Sequence, residues 1–331
     1  MVYNREKDVE TNRQNILQVL KMGGNKLRIW KENKHCILIK TPELFDFKTN
    51  LNYLRRDPNE CMYEIEEDRI TRVIEINHLR TLVRISEADS EYLAVEFLAG
   101  GKLESMEDKK AIVRYVEEWF DFETDLIPFY KMGSKDPLLE QAIERFYGLR
   151  IIGLHDLFEA LCWGILGQQI NLTFAYTLKR QFVEKFGETL EYEGKIYWIF
   201  PSFDKISGLS PEDMSDIKMT KKKREYIIGI AELMAKGDLT KEKLLYLDEL
   251  KQAERELTQI RGIGPWTANY VLMRCLRYPD AFPIDDAGLI NAIKLVTEME
   301  RKPTKEEIRE LTSEWKNWES YATFYLWRML Y

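Results

Sequence analysis

Residues 257–289 read LTQIRGIGPWTANYVLMRCLRYPDAFPIDDAGL, and the organisation of the chain follows from this stretch. A segment rich in Glu, Leu, Lys and Gln runs with helical character into Ile260. Gly262–Ile263–Gly264 interrupts it, and Pro265 suits the first position of a second helix that reaches about Tyr278. The reading is helix, tight glycine hairpin, helix over residues 250–278. The glycines permit positive φ and close backbone approach. The amides at the start of the second helix have no partner within the helix, so they can bind an anion. An ordinary αα-hairpin shares this outline. In the second helix Ala268, Val271, Leu272 and Cys275 make one aliphatic stripe, and Trp266 and Tyr270 lie roughly opposite, facing another subdomain or a cavity. Asp285 and Asp286 precede a further apolar helix through Leu289, Ile290, Ile293 and Val296. Two adjacent carboxylates repel if both are buried, so one is expected to cap that helix in solvent and the other to face the cavity.

Upstream, Asp156 to Leu166 and a stripe of Phe174, Leu178, Phe182 and Phe186 predict two helices, the second capped by Asn171 and ended by Gly187. Gly167, Gln168 and Gln169 form the polar turn between them. The chain before residue 107 differs in character. Arg69 to Ile76, Thr81 to Ile85 and Tyr92 to Leu98 are β-like, Glu87 to Glu91 reads as a connection, and Leu27 to Trp30 with Cys36 to Ile39 suggests a hairpin. From Asp108 to Tyr331 nearly every segment reads as helix. The fold class is therefore α+β: an N-terminal antiparallel sheet domain over residues 1–107 and an all-α body over 108–331.

Composition excludes several classes. Hydrophobic residues make up 45% and charged residues 32% of 331, a globular profile with no apolar run long enough for a membrane span. The polar residues 1–10 predict no signal peptide, and an intracellular setting is the expectation. Four scattered cysteines and three scattered histidines suggest neither a disulfide framework nor a metal site. The net charge of −7 argues against nucleic acid unless the docking face is locally basic. One dense basic run exists, Lys218 followed by Lys221, Lys222, Lys223 and Arg224. It is either a solvated helix start or a phosphate-binding patch.

RGIGPWTANYVLM (261–273) followed by DAFPIDDAGL (280–289) resembles the helix-hairpin-helix DNA glycosylases, in particular the DNA-3-methyladenine glycosylase II branch. FEALCWGILGQQINLTFAYTL (158–178), EWKNWESYATFYLW (314–327) and FDFKTNLNYLRR (45–56) are similar to that family's wedge-bearing helix pair, closing helix and sheet domain. The likeness runs from about residue 45 to the end. It implies a monomeric enzyme that flips alkylated purines, of the 3-methyladenine and 7-methylguanine type, out of double-stranded DNA and leaves an abasic site. It further implies Asp286 as the catalytic carboxylate, with Trp266, Tyr270, Trp327 and Asp285 around the base. Gly262, Gly264 and the amides of Trp266 and Thr267 would hold a phosphate, and Gln168 and Gln169 would contact DNA at the gap left by the base. An amide stands at Gln169 where close relatives often carry an apolar wedge. Lys221, Lys222 and Lys223 are the candidate phosphate contacts. No cofactor is expected beyond a monovalent cation on hairpin carbonyls. The 8-oxoguanine glycosylase/lyase branch places a lysine where this chain has Trp266, and its aspartate lies one residue nearer the hairpin. A lyase needs an amine to form an imine, so Trp266 favours a monofunctional hydrolase. A DNA-binding module without catalysis and a helical scaffold are the other readings. The first would not need Asp286, and the second would use the three aromatics only for packing.

Overall fold

The computed structural model describes residues 30–33, 36–76, 79–101, 105–247 and 249–330. Six strands form one antiparallel sheet: β1 (Trp30–Asn33), β2 (Cys36–Lys40), β3 (Glu64–Glu66), β4 (Arg69–Ile76), β5 (Leu79–Asp89) and β6 (Tyr92–Gly100), in the order β1-β2-β6-β5-β4-β3. The expected hairpin near residue 30 is β1–β2, and Leu27 to Ile29 lie outside the described residues. β5 runs on to Asp89, so most of the connection expected at Glu87 to Glu91 is strand, irregular in register between Glu87 and Asp89.

The helices follow their capping signals. Asp46 caps α1 (Phe47–Leu54), and Ser105 with Asp108 forms a capping box on α2 (Met106–Trp119). After α3 (Ile127–Gly133) and α4 (Glu140–Arg145), Asp156 caps α5 (Leu157–Leu166) and Asn171 caps α6 (Leu172–Phe186), as the sequence predicts. A two-stranded ribbon of β7 (Glu188–Tyr192) and β8 (Lys195–Ile199) then interrupts the body that the sequence suggested was all helix. Its alternating EYEGKIYWI, with a turn at Glu193–Gly194 in positive φ, is the local reason. The body continues through α7 (Phe203–Ser207), α8 (Lys221–Ala235), α9 (Lys241–Leu245), α10 (Leu250–Thr258), α11 (Pro265–Arg274), α12 (Ala287–Val296), α13 (Lys305–Leu311) and α14 (Glu319–Arg328).

Both faces of β4 are buried. Ile70 and Ile74 join the main core, while Val73 and Leu82 pack with Tyr197 and Ile199 of the ribbon. The main core runs without a break from Ile37 and Val95 of the sheet to Ala268, Leu289 and Phe324 of the helices. Within it the Tyr53 ring of α1 meets Phe324 of α14 at 4.7 Å between centroids. That contact carries an N-terminal helix into the floor of the helical body.

Candidate active site

The hairpin between α10 and α11 closes with the Ile263 amide donating to the Ile260 carbonyl at 3.0 Å. Its two glycines have different reasons. Gly262 adopts φ +98°, and a Cβ there would lie 2.3 Å from the Tyr226 ring of α8, so only glycine fits. Beside Gly264 the space is open. Gly264 precedes α11, whose first turn has no side-chain cap. Its amides therefore face a gap that an approaching phosphate backbone can enter.

The turn between α5 and α6 is tied to this hairpin. Gln168 Nε2 donates to the Gly262 carbonyl at 2.9 Å and to Thr267 Oγ1 at 3.1 Å. The half-buried Gln168 thus ties the turn to the hairpin while lining the cavity, and the buried Thr267 side chain, seated against Gly164, leaves only its backbone amide at the helix start. Gln169 is exposed, in the left-handed region at φ +57°. Lys223 corrects the expectation of a uniform basic patch. It is buried, and its ammonium donates to the carbonyls of Leu166 and Gln168 at 2.8 and 2.9 Å. Burial pushes its pKa below the usual lysine value. It shares the inward face of α8 with Ile227, Ile230 and Met234, at helical spacing. Lys221 and Lys222 are exposed, and Lys221 lies 3.7 Å from Glu212. Since Tyr226 packs on Gly262, the start of α8 sits beside the hairpin.

Asp286 combines the two roles expected of different aspartates. Its Oδ1 accepts from the Leu289 amide as the N-cap of α12, at 2.7 Å. The same oxygen accepts from Trp327 Nε1, and Oδ2 accepts from Trp266 Nε1, both at 2.7 Å. Asp285 is exposed and pairs with Lys305. Next to Asp286 a Cβ on Gly288 would come within 2.9 Å of its Oδ1, which keeps that position small. Trp266 and Tyr270 are stacked with centroids 5.8 Å apart, and Tyr270 lies 6.2 Å from Trp327. These residues wall a cavity of about 720 Å³ that also includes Gln168, Gln169 and Asp285. The Gly262 and Gly264 carbonyls each accept one internal bond, from Gln168 Nε2 and the Ala268 amide, leaving a second lone pair that a monovalent cation could take.

Sequence patterns alone do not reveal the far end of this cavity. Tyr53 of α1, Arg56 in the turn after it, Trp163 of α5, Arg274 of α11 and Arg328 of α14 line it as well. Arg274 donates to the hydroxyls of Tyr53 and Tyr270 at 2.9 and 3.2 Å. Behind them Lys179 bridges Glu60 and Glu159 at 3.1 Å each. Arg274 offered a signal: it follows Trp266 and Tyr270 at the same spacing of four on one helix face.

Two family descriptions match the chain: "HhH-GPD superfamily base excision DNA repair protein" over residues 162–317 and "8-oxoguanine DNA glycosylase, N-terminal domain" over residues 10–161. A Bacillus subtilis DNA-3-methyladenine glycosylase is 58% identical over 302 residues, covering 91% of this chain and 99% of the relative. Among solved structures, a 3-methyladenine DNA glycosylase from Archaeoglobus fulgidus superposes with a TM-score of 0.75 at 24% identity, over 88% of this chain and 96% of that one. The Clostridium acetobutylicum 8-oxoguanine glycosylase/lyase, in complex with double-stranded DNA, superposes with a TM-score of 0.72 at 21% identity, over 91% and 97%. These two show the same fold. Among the described residues no helix is long and apolar enough to cross a membrane.

Proposed function

The chain belongs to the HhH-GPD superfamily of base excision DNA repair proteins, and on that premise we propose how it acts on DNA. It is a monofunctional DNA N-glycosylase that removes alkylated bases. As a monomer it binds duplex DNA, flips an alkylated purine into the aromatic cavity and leaves an abasic site. Extrusion costs a few kcal/mol, less for a damaged base than for a sound one. A base alkylated at N3 or N7 carries positive charge, and the faces of Trp266, Tyr270 and Trp327 attract it by about 0.5–2 kcal/mol each.

The positive base is already a good leaving group. The C1′–N bond breaks with its electron pair going to the base, and an oxocarbenium-like sugar remains. The Asp286 carboxylate stabilises that cation, and water adds to C1′ with loss of a proton. One observation carries this assignment. Asp286 is held by two indole N–H groups and a helix-start amide, which orient it without cancelling its charge. Among the described residues no lysine lines the cavity, which favours water over an amine as the nucleophile. Phosphates are bound by the α11 amides, by Lys221 and Lys222, and by a monovalent cation on the hairpin carbonyls, while Gln169 fills the gap left by the base.

The test is to incubate the protein with alkylated duplex DNA. Strands should stay intact until hot alkali cleaves them at abasic sites. A protein–DNA adduct trapped by borohydride would reveal an imine and overturn the monofunctional reading.

A further inference from the structure

The cavity has two chemically different ends. At its mouth stands the Asp286 carboxylate; at its floor stand guanidinium groups that no carboxylate pairs among the described residues. Trp266, Tyr270 and Arg274 lie at i, i+4 and i+8 on α11, so they descend about 12 Å from mouth to floor. Arg56 enters the floor from the turn that follows α1. Its guanidinium carbon lies 4.2 Å from the centre of the Tyr53 ring, and its Nε donates to the Tyr176 hydroxyl at 2.7 Å. These contacts fix the plane of the fork. Among the described residues Nη1 and Nη2 find no acceptor and no acidic partner, and the half-buried side chain opens on the cavity. Arg328 beside it has a buried Nε without a partner among the described residues. The floor is therefore rich in donors and short of acceptors.

From this we propose that Arg56 is a specificity-determining residue that reads the 6-position of the flipped purine and favours 6-oxo over 6-amino bases. The inference rests on the glycosylase reading above. With the glycosidic nitrogen at the Asp286 end, the far edge of the six-membered ring points to the floor. An alkylated guanine presents a carbonyl there, which the free arm of Arg56 can serve, as arginine does on the O6 edge of guanine in duplex DNA. An alkylated adenine presents an amine, and arginine has no acceptor to offer it. Its donors would face donors, and both would remain unpaired.

DNA treated with a methylating agent contains 7-methylguanine and 3-methyladenine together, and chromatography of the released bases gives both rates in one reaction. Arg56→Met should lower 7-methylguanine release by about 10- to 100-fold relative to 3-methyladenine release, the loss expected for one charge-assisted hydrogen bond. Arg56→Gln, which can donate or accept, should level the ratio in the same direction, and it decides the matter if the Met variant does not fold. An equal fall for both bases would make Arg56 a support of the cavity wall and overturn the proposal; so would an unchanged ratio. Parent protein that releases neither base would instead defeat the glycosylase reading itself.

Discussion

One carboxylate stands at the mouth of the aromatic cavity and two lie behind its floor, and they are held in opposite ways. Glu60 and Glu159, behind the floor, share the buried Lys179 ammonium, and Glu60 also accepts from the amides of Cys61 and Met62 at 2.9 Å. Burial alone would raise the Glu60 pKa, but Lys179 and these donors outweigh it and hold the carboxyl below its usual value. Asp286, at the mouth, receives three hydrogen bonds from neutral N–H groups, and its neighbour Asp285 takes the nearby Lys305. On the proposed function, the difference separates structural charge from working charge. A carboxylate that packs is neutralised, because an unpaired buried charge is costly. A carboxylate that must meet a sugar cation is oriented by dipoles and keeps its full charge for the transition state.

The largest effect should come from discharging the working carboxylate. Asp286→Asn can keep the helix cap and the Trp327 bond on Oδ1 but turns an NH2 toward the Trp266 N–H, donor to donor, and it should lower single-turnover excision by about 10³-fold or more while DNA affinity stays close to that of the parent. Asp285→Asn should cost little. Equal and severe loss in Asp285→Asn alone would transfer the catalytic role to that residue.

Breaking the structural end should show in stability rather than chemistry. Lys179→Met leaves Glu60 and Glu159 buried and facing each other without their cation, which should cost about 3 kcal/mol in denaturant unfolding. The pH dependence has a definite sign. A depressed folded pKa at Glu60 contributes stability that is present above the unfolded value of about 4.3 and is lost as pH falls through the folded value. The parent should therefore lose stability below about pH 4, and Glu60→Gln should make that acid limb shallower. An unaltered limb in Glu60→Gln would show that the pair does not contribute in this range.

Between these extremes lies the orientation of Asp286. Trp266→Phe keeps the ring wall but removes the donor to Oδ2. Excision should fall by about tenfold, as for loss of one hydrogen bond to a charged group. A change in substrate affinity alone, with the single-turnover rate intact, would mean that Trp266 serves only as a stacking surface.

How much of this was legible follows from sequence separation. The hairpin, its glycines, the aromatic pair and Asp286 lie within the stretch 257–289, and their spacing is set by helix geometry, so the sequence displays them together. The floor does not behave this way. Arg56 meets Tyr176 across 120 positions, Lys179 meets Glu60 across 119, and Arg274 meets Tyr53 across 221. No local pattern encodes such pairings; they exist only once α1 has docked on the helical body. Asp286 as both cap and cavity wall was hidden for another reason. Like-charge repulsion led to the expectation that one aspartate caps the helix in solvent and the other faces the cavity, whereas Asp286 does both, capping with the same oxygen that meets Trp327, and Asp285 at the cavity rim pairs with Lys305.

The smallest effect concerns the basic run, where the same division between structural and working charge recurs within three residues. Lys221 and Lys222 are exposed beside the hairpin, whereas Lys223 commits its ammonium to two carbonyls at the end of α5 and in the turn after it. Replacing Lys221 and Lys222 with Gln should weaken DNA binding modestly and flatten the dependence of log affinity on log salt. The slope changes by about 0.9 for each phosphate no longer neutralised, so by about 1.8 if each lysine meets one phosphate. The excision rate at saturating protein should not change, since neither residue lines the cavity. Lys223→Met should do the reverse. It leaves the Leu166 and Gln168 carbonyls without their donor and loosens the turn that carries Gln169, so excision should fall while the salt slope stays that of the parent. A double Gln variant with the parent's slope would make Lys221 and Lys222 a solvated helix start. The binding of phosphate would then rest on the α11 amides, whose contribution changes with Gly264 and not with surface charge.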